Sequence, residues 1–191
     1  MKNLIAISAP SGTGKSTLCE EIRIKKPEIK FSISCTTRPR RDYEIDGINY
    51  YFLTDVEFME KVKNNELLEY EEVHGYYYGT LSNTLNNAIS SKELMLFDVD
   101  VNGAMSIKKK YPNNTLTVFI LPPSIEDLKV RLINRGTDSQ EVINKRLERT
   151  NKEMKFKDKF DTFMINDNLS SAVEKLNKII INLKQGVEYG S

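Results

Sequence analysis

Short apolar runs that alternate with segments of helical spacing are the main pattern of this chain. The runs are rich in residues that favour strands and lie at 4–8, 31–34, 94–97, 116–121 and 163–165. A strand that is buried on both faces forms a continuous apolar run, and strands that alternate with helices are typical of a parallel sheet. The pattern therefore predicts an α/β fold, with a five-stranded parallel sheet flanked by helices.

The first and last helical patterns are expected to cover this sheet. The first follows a glycine-containing loop and should end near Pro27, because proline breaks the hydrogen-bond ladder of a helix. The last places apolar residues at helical spacing, namely Leu169, Ala172, Val173, Leu176, Ile179, Ile180 and Leu183. We expect this stripe to pack against the core and to carry no chemistry.

Two segments interrupt the alternation within a predicted single domain. Residues 36–80 are rich in Tyr, Arg and Glu, with one helical pattern at 56–62, and are expected to form an inserted substrate lobe. Residues 124–155 form two basic helical segments joined around Gly136 and are expected to be a mobile lid. The rest of the chain divides into a core at 1–35, 81–123 and 156–184, and a loose tail at 185–191.

Composition and charge narrow the classes of function. A chain of 191 residues that is 39% hydrophobic and 29% charged suits one globular domain. Its 28 basic and 27 acidic side chains nearly cancel, which argues against a nucleic-acid partner held by many phosphate contacts. Any phosphate site must therefore be local.

The sequence carries neither a membrane signal nor a cysteine framework. No apolar run approaches the roughly 18 residues of a membrane span, and the apolar start is too short for a signal peptide. The expected location is therefore the cytoplasm, with no membrane partner. Cys19 and Cys35 have no metal-ligand spacing with the single His74, so both are expected to fill the core.

The strongest motif is a glycine-containing phosphate loop between the first strand and the first helix. Its residues are Ala9, Pro10, Ser11, Gly12, Thr13, Gly14, Lys15, Ser16 and Thr17. In such a loop, backbone N–H groups bind nucleotide phosphates, Lys15 reaches the β and γ phosphates, and the Ser16 hydroxyl binds Mg²⁺. Ala9 replaces the first glycine of the usual pattern. The strand-to-helix context disfavours a chance glycine-rich turn, but GTPases, ATPases and small-molecule kinases all share this motif.

A cluster of basic residues follows the second predicted strand. Arg38, Arg40 and Arg41 lie within four positions, and guanidinium groups suit a phosphate because they offer fixed bidentate donors. Further polar and aromatic residues follow, namely Glu44, Gly47, Tyr50, Phe52, Glu69, Tyr76, Tyr77, Tyr78, Gly79 and Thr80. Taken singly, each has an equally good structural explanation as a solvated or packed side chain.

Taken in order, these segments resemble the guanylate kinase family. The matching segments cover nearly the whole chain and lie at 9–17, 36–52, 75–80, 97–103 and 122–147. The resemblance implies a P-loop nucleoside monophosphate kinase fold with a GMP-binding lobe and a helical lid. It also implies transfer of the γ-phosphoryl group of MgATP to GMP or dGMP, which supplies GDP for purine nucleotide metabolism.

The resemblance assigns roles in the acceptor site. Arg38, Arg41, Tyr50 and Tyr78 are implied to hold the phosphate of GMP. Ser34, Glu69, Thr80 and Asp100 are implied to line the guanine pocket, with Gly79 beside them. The chemistry agrees, because one carboxylate such as Glu69 can accept both the N1–H and the amino group of guanine, a donor pair that adenine lacks. The family pattern is altered at Pro39 and Tyr43, so the conformation of the turn at 39–43 stays open. Arg40, within this turn, is expected to face solvent.

Further basic residues point to charge stabilisation during transfer. Arg131 and Arg135 share a helix face, and Arg146 and Arg149 are three apart on the next helical segment. The resemblance implies that Arg131, Arg135 and Arg146 close over the phosphates and act in catalysis with Lys15 and Arg38. It places Arg149 on the surface. Without the resemblance, a solvated basic face would explain these residues as well.

Two more polar positions follow predicted strands. Asp98 directly follows the predicted strand at 94–97, a position where P-loop proteins place a carboxylate near Mg²⁺. Its expected role is to hold a metal-bound water or to orient the acceptor site. Asn166 follows the last strand and resembles the family's segment beside the adenine of ATP, so it is assigned to ATP binding. The sequence does not decide between a monomer and a homo-oligomer.

Two rival functions remain at this point. A catalytically inactive interaction module of the same family would typically lack the phosphate-loop lysine and the lid arginines, whereas Lys15, Arg135 and Arg146 are present. Another P-loop kinase would act on a different nucleotide or metabolite. Comparison of GMP with AMP, CMP and UMP as acceptors separates the second rival.

Overall fold

The computed structural model describes residues 2–73, 75–134, 136, 139–187 and 189. In chain order, the strands are β1 (Leu4–Ser8), β2 (Lys30–Phe31), β3 (Cys35–Thr36), β4 (Tyr51–Phe52), β5 (Leu67–Val73), β6 (Tyr76–Leu81), β7 (Met95–Asp98), β8 (Thr115–Leu121) and β9 (Thr162–Ile165). The helices are α1 (Lys15–Lys25), α2 (Asp55–Lys63), α3 (Ser82–Ser91), α4 (Val101–Lys110), α5 (Ile125–Asn134), α6 (Gln140–Met154) and α7 (Leu169–Lys184), and a 3₁₀ turn spans Lys157–Lys159.

The central sheet has five parallel strands in the order β2-β7-β1-β8-β9. This confirms the predicted α/β class and strand count. Strand β2 is shorter than the predicted run at 31–34, because the chain leaves the central sheet after Ser32, whose N–H donates to the carbonyl of Leu96 at 2.8 Å. The next residues, Cys35 and Thr36, join a second sheet instead.

The central sheet is covered on both faces, as its apolar strands require. Ile5 and Ile7 of β1 pack into one cluster with residues of α1 and α7, whereas Leu4 and Ala6 pack into another with residues of α3 and α4. Side chains alternate across a strand, so β1 supplies both cores. Among the described residues, no helix is both long and apolar enough to span a lipid bilayer.

Several local predictions agree with the structure. Helix α1 ends two residues before Pro27, and the predicted stripe on α7 is buried at Ala172, Val173, Leu176, Ile180 and Leu183. Both cysteines are buried. Tyr189, in the segment expected to be a loose tail, packs partly buried against the cluster that contains α7.

The lobe between β3 and β6 is built on a second sheet of four strands, in the order β4-β3-β6-β5. Helix α2 packs on it through Phe58, which is fully buried between the rings of Tyr70 and Tyr77. The predicted pattern at 56–62 identified the helix but not its buried face, since Val56 is 70% exposed. The aromatic residues of β5 and β6 select the face that is buried.

Helices α5 and α6 lie in the predicted lid segment and share a small apolar cluster of Leu128, Leu132 and Ile143. This cluster is separate from the two clusters that cover the central sheet. The predicted catalytic residue Arg135 lies outside the described residues, as do His74 and Thr137.

Candidate active site

A cavity of about 1080 Å³ lies where the phosphate loop, the second sheet and the lid segment meet. The predicted site residues that line it are Ala9, Pro10, Ser11, Gly12, Gly14, Lys15, Ser16, Thr17, Ser34, Arg38, Arg41, Tyr50, Glu69, Tyr78, Gly79, Thr80, Asp98, Asp100, Arg131 and Arg146. Thr13 and Asn166 are the predicted residues within the described ranges that do not line it. The fold thus gathers residues from nearly the whole chain into one site.

The phosphate loop leads directly into helix α1. Gly12 and Gly14 have φ of 85° and 90°, in the left-handed region that glycine adopts without strain. The first backbone bond of the helix runs from the N–H of Leu18 to the carbonyl of Gly14 at 3.0 Å. The N–H groups of Lys15, Ser16 and Thr17 precede it, so they lack helical partners and form a positive helix end suited to an anion.

Lys15 joins the phosphate loop to the end of β7. Its ammonium group lies 2.5 Å from Oδ1 of Asp98 and donates to the carbonyl of Val99 at 2.6 Å. Burial alone would lower the pKa of Lys15, but the Asp98 carboxylate raises it above its usual value. The lysine is therefore a fixed cation at neutral pH.

Ser16 and Asp98 both line the cavity. Ser16 follows Lys15 in the chain, and Asp98 contacts the ammonium group of Lys15. Their hydroxyl and carboxylate oxygens are hard donors of the kind that Mg²⁺ prefers. Mg²⁺ commonly takes one or two protein ligands and completes its shell with phosphates and water. The donor set therefore fits a magnesium ion that binds together with a nucleotide.

Arg38 is held by a buried carboxylate. Glu44 accepts from Nη2 of Arg38 at 2.7 Å and, with its other oxygen, from the backbone N–H of Arg41 at 2.8 Å. Burial would raise the pKa of Glu44, but these bonds hold it below its usual value, and in return Glu44 raises the pKa of Arg38 against the effect of burial. No role was predicted for Glu44 from the sequence, although its spacing from both arginines was the available signal.

Aromatic rings complete the surroundings of Arg38. Its guanidinium lies 5.6 Å from the ring centroid of Tyr50 and 5.7 Å from that of Phe52. Tyr50 in turn meets the edge of Tyr78 at 6.0 Å, and burial raises the pKa of Tyr50. The Tyr50 hydroxyl therefore remains a hydrogen-bond donor at neutral pH.

The altered turn after Arg38 is organised by Glu44. Arg40 is exposed, as predicted, and donates to the carbonyl of Glu44 at 2.6 Å. The guanidinium of Arg41 is exposed and donates to the hydroxyl of Tyr43 at 2.9 Å. The turn therefore leaves Arg38 rigid and Arg41 more accessible.

Carboxylates line the part of the cavity between β5 and the start of α4. Glu69 lies opposite Thr80 in the pairing of β5 with β6. Burial raises the pKa of Glu69, and the nearby charge of Asp100 adds to this rise. Asp100 caps α4 by accepting from the N–H of Gly103 at 2.8 Å, and a Cβ at position 103 would lie 3.1 Å from Oε2 of Glu69. These contacts bring both predicted base-reading carboxylates to one wall.

Arg149 belongs to the same wall, so its prediction as a surface residue is wrong. It lines the cavity, its Nε donates to Oε1 of Glu153 at 2.8 Å, and its Nη2 lies 3.7 Å from Oδ2 of Asp100. Because Asp100 lies on a distant element, the pairing was not visible in the sequence. The spacing of three from Arg146 placed both arginines on one helix face and was the available signal.

Glu71 is a second residue that sequence analysis missed. It is two positions from Glu69, so both side chains lie on one face of β5. A hydrogen bond to Asp100 raises the pKa of Glu71 to about 7, and Asn102 donates to its other side. Near neutral pH, Glu71 is therefore protonated in a substantial fraction of molecules.

Glu71→Gln should raise the thermal unfolding midpoint at pH 8 and leave it unchanged near pH 4.5. The folded-state pKa of about 7 exceeds the usual 4.5, so the wild type loses stability as the pH rises through this window. Glutamine keeps a donor toward Asp100 at every pH. After discounting for the partial exposure of Glu71, we expect the variant to be more stable at pH 8 by about 1 kcal/mol, which raises the unfolding midpoint by roughly 2–4 °C.

The measurement is a series of thermal melts from pH 4.5 to 8. Glu72→Gln is the matched control, since Glu72 is exposed on the opposite face of the same strand. A gain for Glu71→Gln that did not grow with pH would contradict the raised pKa of Glu71.

The side chains of Arg131 and Asn166 both donate hydrogen bonds to backbone carbonyls. Arg131 donates to the carbonyls of Asn166 and Asp167 at 3.1 and 3.0 Å, and Asn166 donates to the carbonyl of Thr13 at 2.7 Å. Asn166 is only 5% exposed and does not line the cavity. The structure thus places its side chain against the phosphate loop.

Comparison with known proteins gives consistent results. A family model described as guanylate kinase matches residues 1–183. The guanylate kinase of Porphyromonas gingivalis is 47% identical over 94% of this chain and 97% of its own length, and that of Chlorobium luteolum is 44% identical over 94% and 91%. A crystal structure of guanylate kinase from Anaplasma phagocytophilum matches with a TM-score of 0.75 at 27% identity, covering 93% of this chain and 84% of that chain.

Proposed function

The chain belongs to the guanylate kinase family of ATP-dependent kinases, and on that basis we propose that it transfers the γ-phosphoryl group of ATP to GMP, giving ADP and GDP. The observation that carries the proposal is that one cavity is lined by a phosphate loop, by carboxylates and by several arginines. We extend the proposal to dGMP, because the contacts assigned here involve the base and the phosphate and not the sugar.

The triphosphate of ATP would bind on the phosphate loop. The loop's N–H groups and the Lys15 ammonium supply the positive charge that its oxygens need. Ser16 and Asp98 would hold Mg²⁺, directly or through water. When bound, this ion neutralises charge on the β and γ oxygens.

The acceptor would bind between the second sheet and the start of α4. Its phosphate would meet Arg38, Arg41, Tyr50 and Tyr78, of which Arg38 is already oriented by Glu44. Its base would lie against Glu69, Asp100, Thr80, Ser34 and Gly79. A bound base that lacked matching donors would cover these carboxylates and leave their acceptors unpaired, so this wall would reject adenine.

Phosphoryl transfer would depend on positioning and on cationic side chains more than on covalent chemistry. Lys15, Arg38, Arg131, Arg135 and Arg146 are the proposed catalytic residues. Arg131 would have to release backbone carbonyls before it reached a phosphate. We propose that the lobe at 36–80 and the lid at 124–155 close over both nucleotides and exclude water, which prevents wasteful hydrolysis of ATP.

Transfer itself can be tested with ATP labelled at the γ-phosphoryl group. With GMP present, the label should appear in GDP and not as free phosphate. Label that stayed in ATP, with a folded protein that still bound GMP, would favour the inactive interaction module. Label that appeared in free phosphate would show an ATPase instead.

A further inference from the structure

The side chain of Asn166 holds the phosphate loop from outside the cavity. Asn166 follows β9, and its Nδ2 donates to the carbonyl of Thr13 at 2.7 Å, although the two residues are 153 positions apart in the chain. Both residues are buried. A short bond between buried groups is costly to lose, because the carbonyl is then left without a strong partner.

This bond fixes the direction of a phosphate-binding group. In a trans peptide, the C=O and the next N–H point in opposite directions. Once Asn166 holds the Thr13 carbonyl on one side, the N–H of Gly14 is directed to the other side. Gly14 caps α1 and lines the cavity, so its N–H belongs to the proposed phosphate cradle.

Close packing makes the arrangement specific. A Cβ at position 14 would lie 2.8 Å from Nδ2 of Asn166, and Gly14 has a φ of 90°. Any side chain at position 14 would therefore displace the Asn166 amide and strain the backbone. Arg131 also approaches the Thr13 carbonyl, but at 3.5 Å it is a weak donor there.

We propose that Asn166 is a positioning residue for the phosphate loop, acting through the Thr13–Gly14 peptide and not on the adenine base. The inference rests on the proposed binding of ATP to this loop. It replaces the adenine contact expected from the sequence, since the side chain is buried, does not line the cavity and donates its amide N–H to the loop. The consequence is that Asn166 affects every triphosphate ligand, whatever its base.

The test compares two ligands that share the triphosphate but not the base. Asn166→Ala should weaken the binding of MgATP and of magnesium tripolyphosphate by the same factor, about tenfold each, as measured by calorimetry. A contact with adenine would weaken ATP and leave tripolyphosphate unchanged. Asn166→Asp keeps the shape but removes the donor, so it should weaken both ligands at least as much as Asn166→Ala.

GMP affinity and a second asparagine separate positioning from general damage. GMP should bind each variant within about twofold of wild type, which also shows that the variant is folded. Asn3→Ala removes a buried amide that donates to the carbonyls of Ala88 and Glu93 at the opposite end of β1. It should lower the unfolding midpoint without changing tripolyphosphate binding.

The outcomes distinguish this inference from the function on which it rests. If wild-type protein bound neither ATP nor tripolyphosphate, the proposed function would be wrong. If wild type bound both and Asn166→Ala bound both equally well, only the positioning role would be wrong. Equal weakening of GMP and the triphosphates would also overturn it, because it would show a general loss of structure.

Discussion

Lys15→Ala should lower turnover by about three powers of ten or more, while the protein stays folded and still binds GMP. Lys15 is the cation fixed between the phosphate loop and Asp98, where charge would develop on the transferred group. Its loss leaves Asp98 unpaired, but this side chain remains partly accessible to water, so the cost in stability is modest. The measurement is ADP production in a coupled assay with MgATP and GMP.

A surface lysine provides the matched control for this prediction. Lys145 lies on α6, is highly exposed and pairs with Glu141 on the same helix. Lys145→Ala removes the same charge away from the cavity and should leave turnover within about twofold. Turnover that survived in Lys15→Ala would contradict the role of the phosphate loop.

Glu69→Gln should weaken GMP binding by about a hundredfold and change ATP affinity by less than about twofold. The Glu69 carboxylate can accept two adjacent donors of guanine, whereas glutamine presents one acceptor and one competing donor. Isothermal titration with each nucleotide separates the two affinities. Equal losses for GMP and ATP would remove Glu69 from base recognition.

IMP gives a sharper version of the same experiment. It keeps the N1–H of guanine but lacks the amino group, so wild type should prefer GMP strongly over IMP. This preference, measured as a ratio of kcat/KM values, should largely disappear in Glu69→Gln. Glu72→Gln, a change in an exposed residue on the other face of β5, should keep the wild-type preference.

The fold could be predicted largely because its central strands are buried on both faces. The sequence of such a strand is an apolar run. Four of the five predicted runs coincide with strands of the central sheet over most of their length. The second predicted run, 31–34, extends past β2 because the chain leaves the central sheet after Ser32 and joins the other sheet at Cys35. Local sequence reports burial; it does not report which sheet a strand joins.

The buried face of α2 shows a similar limit. The spacing of Val56, Met59 and Val62 is helical and identified the element, yet Phe58 is the side chain that packs. Tyr70 and Tyr77 come from strands later in the chain and form the surface that Phe58 meets. A choice between two possible helix faces therefore depends on contacts that are distant in sequence.

The candidate site follows the same rule. The phosphate loop is local in sequence, so its residues and the start of α1 could be identified directly. Arg149 and Glu71 are linked to the site through Asp100, which another element supplies. Asn166 likewise depends on a bond across 153 positions. Roles that depend on one distant partner were the ones that sequence analysis missed or misplaced.

The most direct test of the account is a coupled assay of ADP production with MgATP and each of GMP, AMP, CMP and UMP in turn. We predict turnover with GMP and little with the other three, because only guanine presents the donor pair that the Glu69 and Asp100 wall can accept. Equal or faster turnover with another monophosphate would contradict the proposed base pocket, and no turnover with any of them would contradict the proposed kinase activity.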